Sequence, residues 1–415
     1  MLNNARSLMI LALLSAGPLC SLTCATTRIV GKPNTNCAGA QYTTIQAAIN
    51  AASSGDTIEV CPALYPEQLL ITKPITVVGI QVENVNRVLV RPNSMSQLGG
   101  LSSEAVITVV NPRGNVTIQN LAVDATNNDV SNCSVPAAGI HYYNASGLVE
   151  HNAIFNALVS DPQECGLLFG SGFGVQVDSS QPGPFYVRIA HNSIHDYTRL
   201  GVLADGPGIN VEVDGNTISG IGPAIGVLQF GVFVANGTIG NIHNNTITEG
   251  LCGSLSESDC FGLRSEGVTL RSPGDGTIVT NNVISQAQSG IFINGGNDIS
   301  VTHNSVKNIE GLSGMDIQGS ASGFLTNSTI EDNVIANVGP VSQVCSDDEE
   351  CCGIHEYSGT GVSRNTIRNN TVNDAFCGVA AVEADRVIGG HYYNTLYTVL
   401  DSDQYPSTFP PASEP

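Results

Sequence analysis

Between Gly139 and Val382 the chain keeps returning to one short pattern, a glycine followed by alternating apolar and polar positions. GIHYY begins at Gly139, GVQVD at Gly174, GVLAD at Gly201, GVFVA at Gly231 and GVTLR at Gly267. GIFIN at Gly290, GMDIQ at Gly314, GIHEY at Gly353 and GVAAV at Gly378 complete the series. Each but the last is followed by a second phrase with an Asn shortly before an apolar residue, written HNAI, HNSI, GNTI, NNTI, NNVI, HNSV, DNVI or NNTV. Period-two alternation in short segments rich in Val and Ile predicts strands, and the segments are too short for helical repeats. Two β-phrases per short, irregular repeat suit one coil of a solenoid. The recurrent Asn suits turns, where its side chain bonds backbone and tolerates αL, and it can stack from coil to coil.

The stretch from Tyr42 to Gly79, YTTIQAAINAASSGDTIEVCPALYPEQLLITKPITVVG, opens on a different period. Ile45, Ala48, Ile49 and Ala52 form one apolar stripe, which predicts a helix over 42–52 with Thr43 or Thr44 as N-cap. Gly55-Asp56 then turns into a strand at Thr57–Val60. Nothing in residues 28–400 suggests a domain boundary. Composition agrees with a single β-rich solenoid: 45 glycines, no tryptophan and only 12% charged residues.

With its glycine and Asn phrases and this N-terminal segment, the chain resembles the right-handed parallel β-helix proteins of the pectin-lyase-like superfamily. The resemblance implies an all-β fold, a single-stranded right-handed parallel β-helix (solenoid) of about 12 coils, with an N-terminal capping helix and disulfide-stapled loops. It implies no single activity, because that fold hosts lyases, hydrolases, esterases, epimerases and non-catalytic proteins. The signatures of pectin methylesterases, alginate epimerases and polygalacturonases are missing; Gly390-His391-Tyr392 is only a fragment of one. No catalytic residue is carried over by motif.

Residues 1–25 read as a secretory signal peptide, with Arg6, an apolar run from Leu8 to Ala16 and small residues after it. Leu22-Thr23-Cys24 raises lipoprotein anchoring as the lesser alternative. Residues 401–415 read as a disordered tail. Of the 12 cysteines, Cys20 and Cys24 fall in the leader. The remaining even number in an oxidising compartment predicts disulfides. The expected pairs are Cys37–Cys61, Cys133–Cys165 and Cys252–Cys260, with Cys377 joined to Cys345, Cys351 or Cys352. Most of these cysteines fall in long insertions between an Asn phrase and the next glycine. Those insertions leave the coil at one corner, where they either merely hold long loops down or wall a groove.

If the residue after each glycine points inward, the third and fifth positions of the phrase point outward. Coils stack at about 4.8 Å. Asp178 and Asp205 then share a column on adjacent coils, their carboxylates about 5 Å apart, and Arg271 lies two coils further on, roughly 10 Å away. Asp178, Asp205 and Arg271 are the candidate catalytic residues, with Gln176, Phe233, Thr269, Asn294 and Asp316 as candidate substrate contacts. Paired carboxylates support Ca²⁺-assisted lyase chemistry with Arg271 near the abstracted proton, retaining glycoside hydrolysis, or structural Ca²⁺ binding. A solvated polar column is the bland alternative. His141/Tyr143 and His355/Tyr357 look like a repeated pair, but seven coils at about 4.8 Å put them too far apart to share a site. His151, His191, His243 and His303 read as turn residues, and the acidic run Ser346–Cys352 as a solvated loop.

Charge narrows the partners. With 36 acidic against 15 basic residues and a net charge of −21, nucleic acid and anionic membranes are disfavoured, and a polyuronate is too unless Ca²⁺ bridges it. No run beyond the leader is long enough to span a bilayer. The expected protein is an exported monomer acting on a polysaccharide or oligosaccharide, with lyase-like cleavage as the leading activity. A glycoside hydrolase using Asp178 and Asp205 is one alternative, and a non-catalytic glycan-binding or cell-surface β-helix is the other. Glu356 stands out because alternation points it inward between Ile317 and Ala381. A local bulge that exposes Glu356 and buries His355 is the preferred way to avoid a buried carboxylate.

Overall fold

The computed structural model describes residues 25–401, apart from 34–36, 84, 129–134, 160–170, 224–226, 249, 252–264, 312, 320–324, 340–350, 358–363 and 383–385. The chain is a right-handed parallel β-helix whose coils present three faces. One coil shows the plan. Ser146–Glu150 lies on the first face, Ala153–Ala157 on the second and Phe173–Asp178 on the third, before Phe185–Ala190 restarts the first face one coil higher. The first face is a 13-stranded sheet; the second and third make up a 22-stranded sheet. They are continuous because Thr371–Val382 is one strand that pairs on both.

Why the glycine phrase recurs follows from packing at the corner between the second and third faces. A Cβ on Gly174 would meet Ile194 Cγ2 at 2.3 Å and the Gly201 carbonyl oxygen at 2.6 Å. On Gly231 it would meet Ile247 Cγ2 at 2.3 Å and the Gly267 oxygen at 2.5 Å. Glycine and the Val or Ile after it both point inward here, so alternation breaks between them. The third and fifth positions face outward as expected. The residue before the glycine also faces outward, which alternation alone does not show. Ala138, Phe173, Leu200 and Phe230 make an apolar row there, packed with Leu203 and Phe233 of the next outward row.

The Asn phrase marks the turn between the first and second faces. Asn152, Asn192, Asn216, Asn245, Asn282, Asn304, Asn333 and Asn370 are all buried. From Asn192 onward each carboxamide oxygen accepts from the backbone N–H and side chain of the Asn one coil below, as Asn245 Oδ1 does from Asn216 at 2.9 and 3.0 Å, while Asn152 Oδ1 starts the ladder on the Leu121 N–H. The ladder Asn is not itself in αL. That conformation belongs to the residue before it: His151, His191, Asn244, Asn281, His303, Asp332 and Asn369 have φ between 53° and 58°. His151, His191 and His303 are therefore turn residues as expected, whereas His243 ends a strand.

At the N-terminal end a helix spans Ile45–Ala51, shorter than the 42–52 anticipated. Thr44 caps it, accepting from the Ala47 N–H at 3.3 Å, and Glu67 accepts from the N–H groups of Ile45 and Gln46 at 3.0 and 2.9 Å. Ile45, Ala48, Ile49 and Ala52 join the common core. Cys37–Cys61 is formed, and so is Cys352–Cys377, which selects Cys352 among the expected partners of Cys377. Cys351 is disulfide-bonded as well. Cys133, Cys165, Cys252, Cys260 and Cys345 lie outside the described residues. No helix among the described residues is long and apolar enough to cross a membrane.

Asp56 ties this end together. Its carboxylate accepts from the N–H groups of Ser53 and Thr26, each at 2.9 Å, and from Arg28 Nε at 2.9 Å. Those bonds, the two backbone donors foremost, hold its pKa well below the ordinary carboxylate range. A group whose pKa is depressed on folding contributes stability that is complete above its unfolded value, about 3.9, and is lost as pH falls through the folded value. Urea unfolding between pH 5 and pH 2.5 is expected to show a steeper loss for the wild type than for Asp56→Asn, which starts less stable. Parallel curves would rule this role out.

Glu356 keeps the inward register. It pairs with Ile317 below and Ala381 above, is 1% exposed, and accepts from Asn365 Nδ2 at 2.7 Å. The anticipated bulge does not form, because Asn365 supplies a buried donor and makes burial tolerable. His355, the outward residue, is partly exposed.

Candidate functional site

The outward rows of the third face make the candidate floor. Asp178 and Asp205 are direct partners on adjacent coils, Asp205 pairs with Ala235, and Ala235 pairs with Arg271. The predicted column, with Arg271 two coils beyond Asp205, is therefore present. At about 4.8 Å per coil, the two aspartates leave the sheet side by side.

Asp178 is the better anchored. Its Oδ1 lies 2.5 Å from His141 Nε2, and its Oδ2 accepts from Gln176 Nε2 at 3.0 Å. His141 is 2% exposed, and its other ring nitrogen meets Ser103 Oγ at 3.0 Å. The Asp178 side chain stays 29% exposed. A chain of contacts thus runs from a buried serine, through a buried imidazole, to a carboxylate at the surface. Asp205 is held by a single described side-chain donor, Asn236 Nδ2, at 2.6 Å.

The floor is less solvated than the alternation suggests. Gln176, Thr269 and Asp316, expected as open substrate contacts, are buried and bond to neighbouring side chains. Thr269 donates to Glu266, and Asp316 accepts from Gln318 Nε2 and lies 3.3 Å from His355. Their role is to support the surface rather than to form it. The buried Gln176 Oε1 has no hydrogen-bond partner among the described residues, a cost that a buried water would offset. Phe233 is partly exposed, stands edge-on to Phe230 with centroids 5.5 Å apart, and carries Arg271 at 5.8 Å from its ring. Asn294 pairs with Arg271 one coil higher.

Beside this column stands a second polar group, unforeseen because it involves the row before the glycines. Glu266 is buried next to Phe230, and Arg199 stacks 4.8 Å from the Phe230 ring centre and donates to the Leu228 carbonyl at 3.2 Å. Burial, then the like charge of Arg271, pushes the Arg199 pKa down to about 10, with Glu266 acting the other way.

His141, as partner of Asp178, and Ser103, as partner of His141, were also missed. The signal was available for His141: it shares a strand with Tyr143, which pairs directly with Asp178, so its side chain sits diagonally across from that carboxylate. Comparing it only with the distant His355 hid this. Ser103 had no comparable signal.

The fold is shared with solved structures. A family described as right handed beta helix region matches residues 230–390. The GH136 lacto-N-biosidase from Eubacterium ramulus has 10% identity, with 89% of this chain and 67% of that one covered and a TM-score of 0.57. The A-module of the Azotobacter vinelandii mannuronan C-5 epimerase AlgE4 has 12% identity, with 86% of this chain and 94% of that one covered and a TM-score of 0.50. At such identities the likeness is one of fold. A search of curated protein sequences finds no match.

Proposed function

We propose that this is an exported glycan-cleaving protein that holds a polysaccharide along the third face and hydrolyses it with Asp178 and Asp205. The observation that carries the reading is the in-register carboxylate pair with one member fixed by a buried imidazole. Carboxyl groups about 5 Å apart suit retention: one attacks the anomeric carbon while the other protonates the leaving oxygen and later activates water. Asp178, oriented from two sides, suits attack; Asp205, with its one described donor, suits proton transfer. Cys37–Cys61 and Cys352–Cys377 fit an oxidising, extracytoplasmic setting. The net charge of −21 favours a neutral glycan.

Lyase-like cleavage of a uronan is the second reading, favoured by two guanidinium groups near one floor, Arg271 over the Phe233 ring and Arg199 over the Phe230 ring beside it. Ca²⁺ at Asp178 and Asp205 suits that chemistry less well. Calcium takes six to eight oxygen ligands, whereas both Asp178 oxygens already face protein groups, one of them an imidazole nitrogen.

A panel of neutral glycans and uronans, with and without Ca²⁺, separates the readings. The expected result is new reducing ends without unsaturated-product absorbance, independent of Ca²⁺ and abolished in Asp205→Asn. Absorbance that needs Ca²⁺ would establish the lyase instead. Folded protein that binds glycans but releases no product would make this a binding module.

A further inference from the structure

The first face carries a groove that the cleavage chemistry does not use. Tyr186 is the most exposed large side chain there, at 61%. In register with it run Asn210 and Ile239, and in the adjacent outward row Arg188, Glu212 and Asn241. These six side chains line a cavity of about 360 Å³, within the ~300–1,000 Å³ range of small-ligand sites.

The polar side of this groove is prearranged. Arg188 reaches Asp214 at 2.7 Å, Glu212 at 3.2 Å and Glu150 at 3.5 Å. His243 lies 3.4 Å from Glu212 and 3.1 Å from Asp214. The ligand atoms of Glu212, Asp214 and His243 come within 4.8 Å of one another, as a metal site would require. The guanidinium already bonds the same two carboxylates, however, and places a fixed positive charge where an ion would sit. The cluster is therefore an ion-paired floor, with carboxylates held ready for hydroxyl groups and little of their side-chain entropy left to lose.

We propose that this groove is a second glycan-binding site, separate from the cleavage floor, which takes a short stretch of neutral polysaccharide. An exposed tyrosine beside two amides and ion-paired carboxylates matches a sugar ring, whose C–H face stacks on the aromatic while its hydroxyls bond at the edge. Three carboxylates against one arginine give the patch a net negative charge, which turns away uronates, phosphates and nucleic acid. Rings with all-equatorial substituents offer the flattest C–H face, so a β-1,4-glucan is the best-matched class. The site would keep a long chain on the protein between cleavage events. It can be examined whether or not the third face cleaves anything.

Calorimetric titration of Asp205→Asn with cellohexaose, and with tetragalacturonate as the anionic control, provides the test. Tyr186→Ala in that background is expected to weaken cellohexaose binding at one site by about tenfold or more, while Phe233→Ala leaves that site intact. Because Tyr186 is largely exposed, its thermal unfolding should match that of the parent. Equal cellohexaose binding with and without Tyr186 would overturn the proposal. So would no cellohexaose binding at all, tighter binding of tetragalacturonate at this site, or self-association that Tyr186→Ala abolishes.

Discussion

Asp178→Asn, which removes the attacking carboxylate, is expected to lower glycan cleavage by about 10⁴–10⁶-fold, the scale of losing one member of a covalent-catalytic set, with little change in stability. The substituted amide still offers an oxygen to His141 Nε2, so the local geometry survives while the charge is lost. His141→Phe poses the complementary question. It keeps the ring volume in a buried position but removes both the bond to Asp178 and the contact with Ser103. A displacement of order 1 Å costs about 10²-fold, so kcat should fall by that factor while KM for a long glycan stays near its original value. A merely structural histidine would give a lower unfolding midpoint with normal kcat in the protein that remains folded. If Asp178→Asn retains full turnover, the carboxylate pair is not the reacting centre, and the Glu266, Arg199 and Arg271 group becomes the place to look.

The contrast between fold and site in the sequence has a physical origin. Coil register is written in side chains that must be small or must be amides: a glycine where a Cβ would strike the next coil's carbonyl, an Asn where a buried turn needs a self-matching donor and acceptor. Such constraints repeat with every coil and are legible even in one chain. The site is written once. Asp178 and Asp205 could be found because they share a column, a relation the repeat itself supplies. Glu266 could not, since it belongs to a row that faces outward only because alternation breaks at the glycine, and Arg199, one residue ahead of that row at Leu200, lies outside the glycine phrase altogether. Glu356 shows the same limit. Its inward register follows from the pattern, but the partner that makes it tolerable, Asn365, lies on the next connection and belongs to no phrase boundary. Burial of the floor was illegible for another reason: alternation tells which side of a sheet a residue occupies and says nothing of what else covers that side.

The Asn ladder yields the largest expected stability effect, and two adjacent residues isolate it. Asn245 is buried. Its oxygen serves the N–H and side chain of Asn216, and its own amide serves the Val213 carbonyl at 2.8 Å and Asn282 at 2.9 Å. Asn245→Ala would leave two or three buried polar groups without partners, at about 1–3 kcal/mol each, so a loss of about 3–6 kcal/mol is expected. That is a large share of the 5–15 kcal/mol typical of a folded domain. Asn244, one residue earlier, is exposed and sits in αL with φ of 58°. Asn244→Ala should cost the backbone penalty of that conformation, about 1–2 kcal/mol, together with the part-buried bond that its Nδ2 donates to Asp214 Oδ1 at 3.1 Å, and so less than the loss of the buried ladder. Guanidinium unfolding of both variants, followed by circular dichroism, measures the difference. Equal losses would mean that the buried amide bonds add nothing beyond an ordinary turn position, and the ladder would then be a consequence of coil stacking rather than one of its causes.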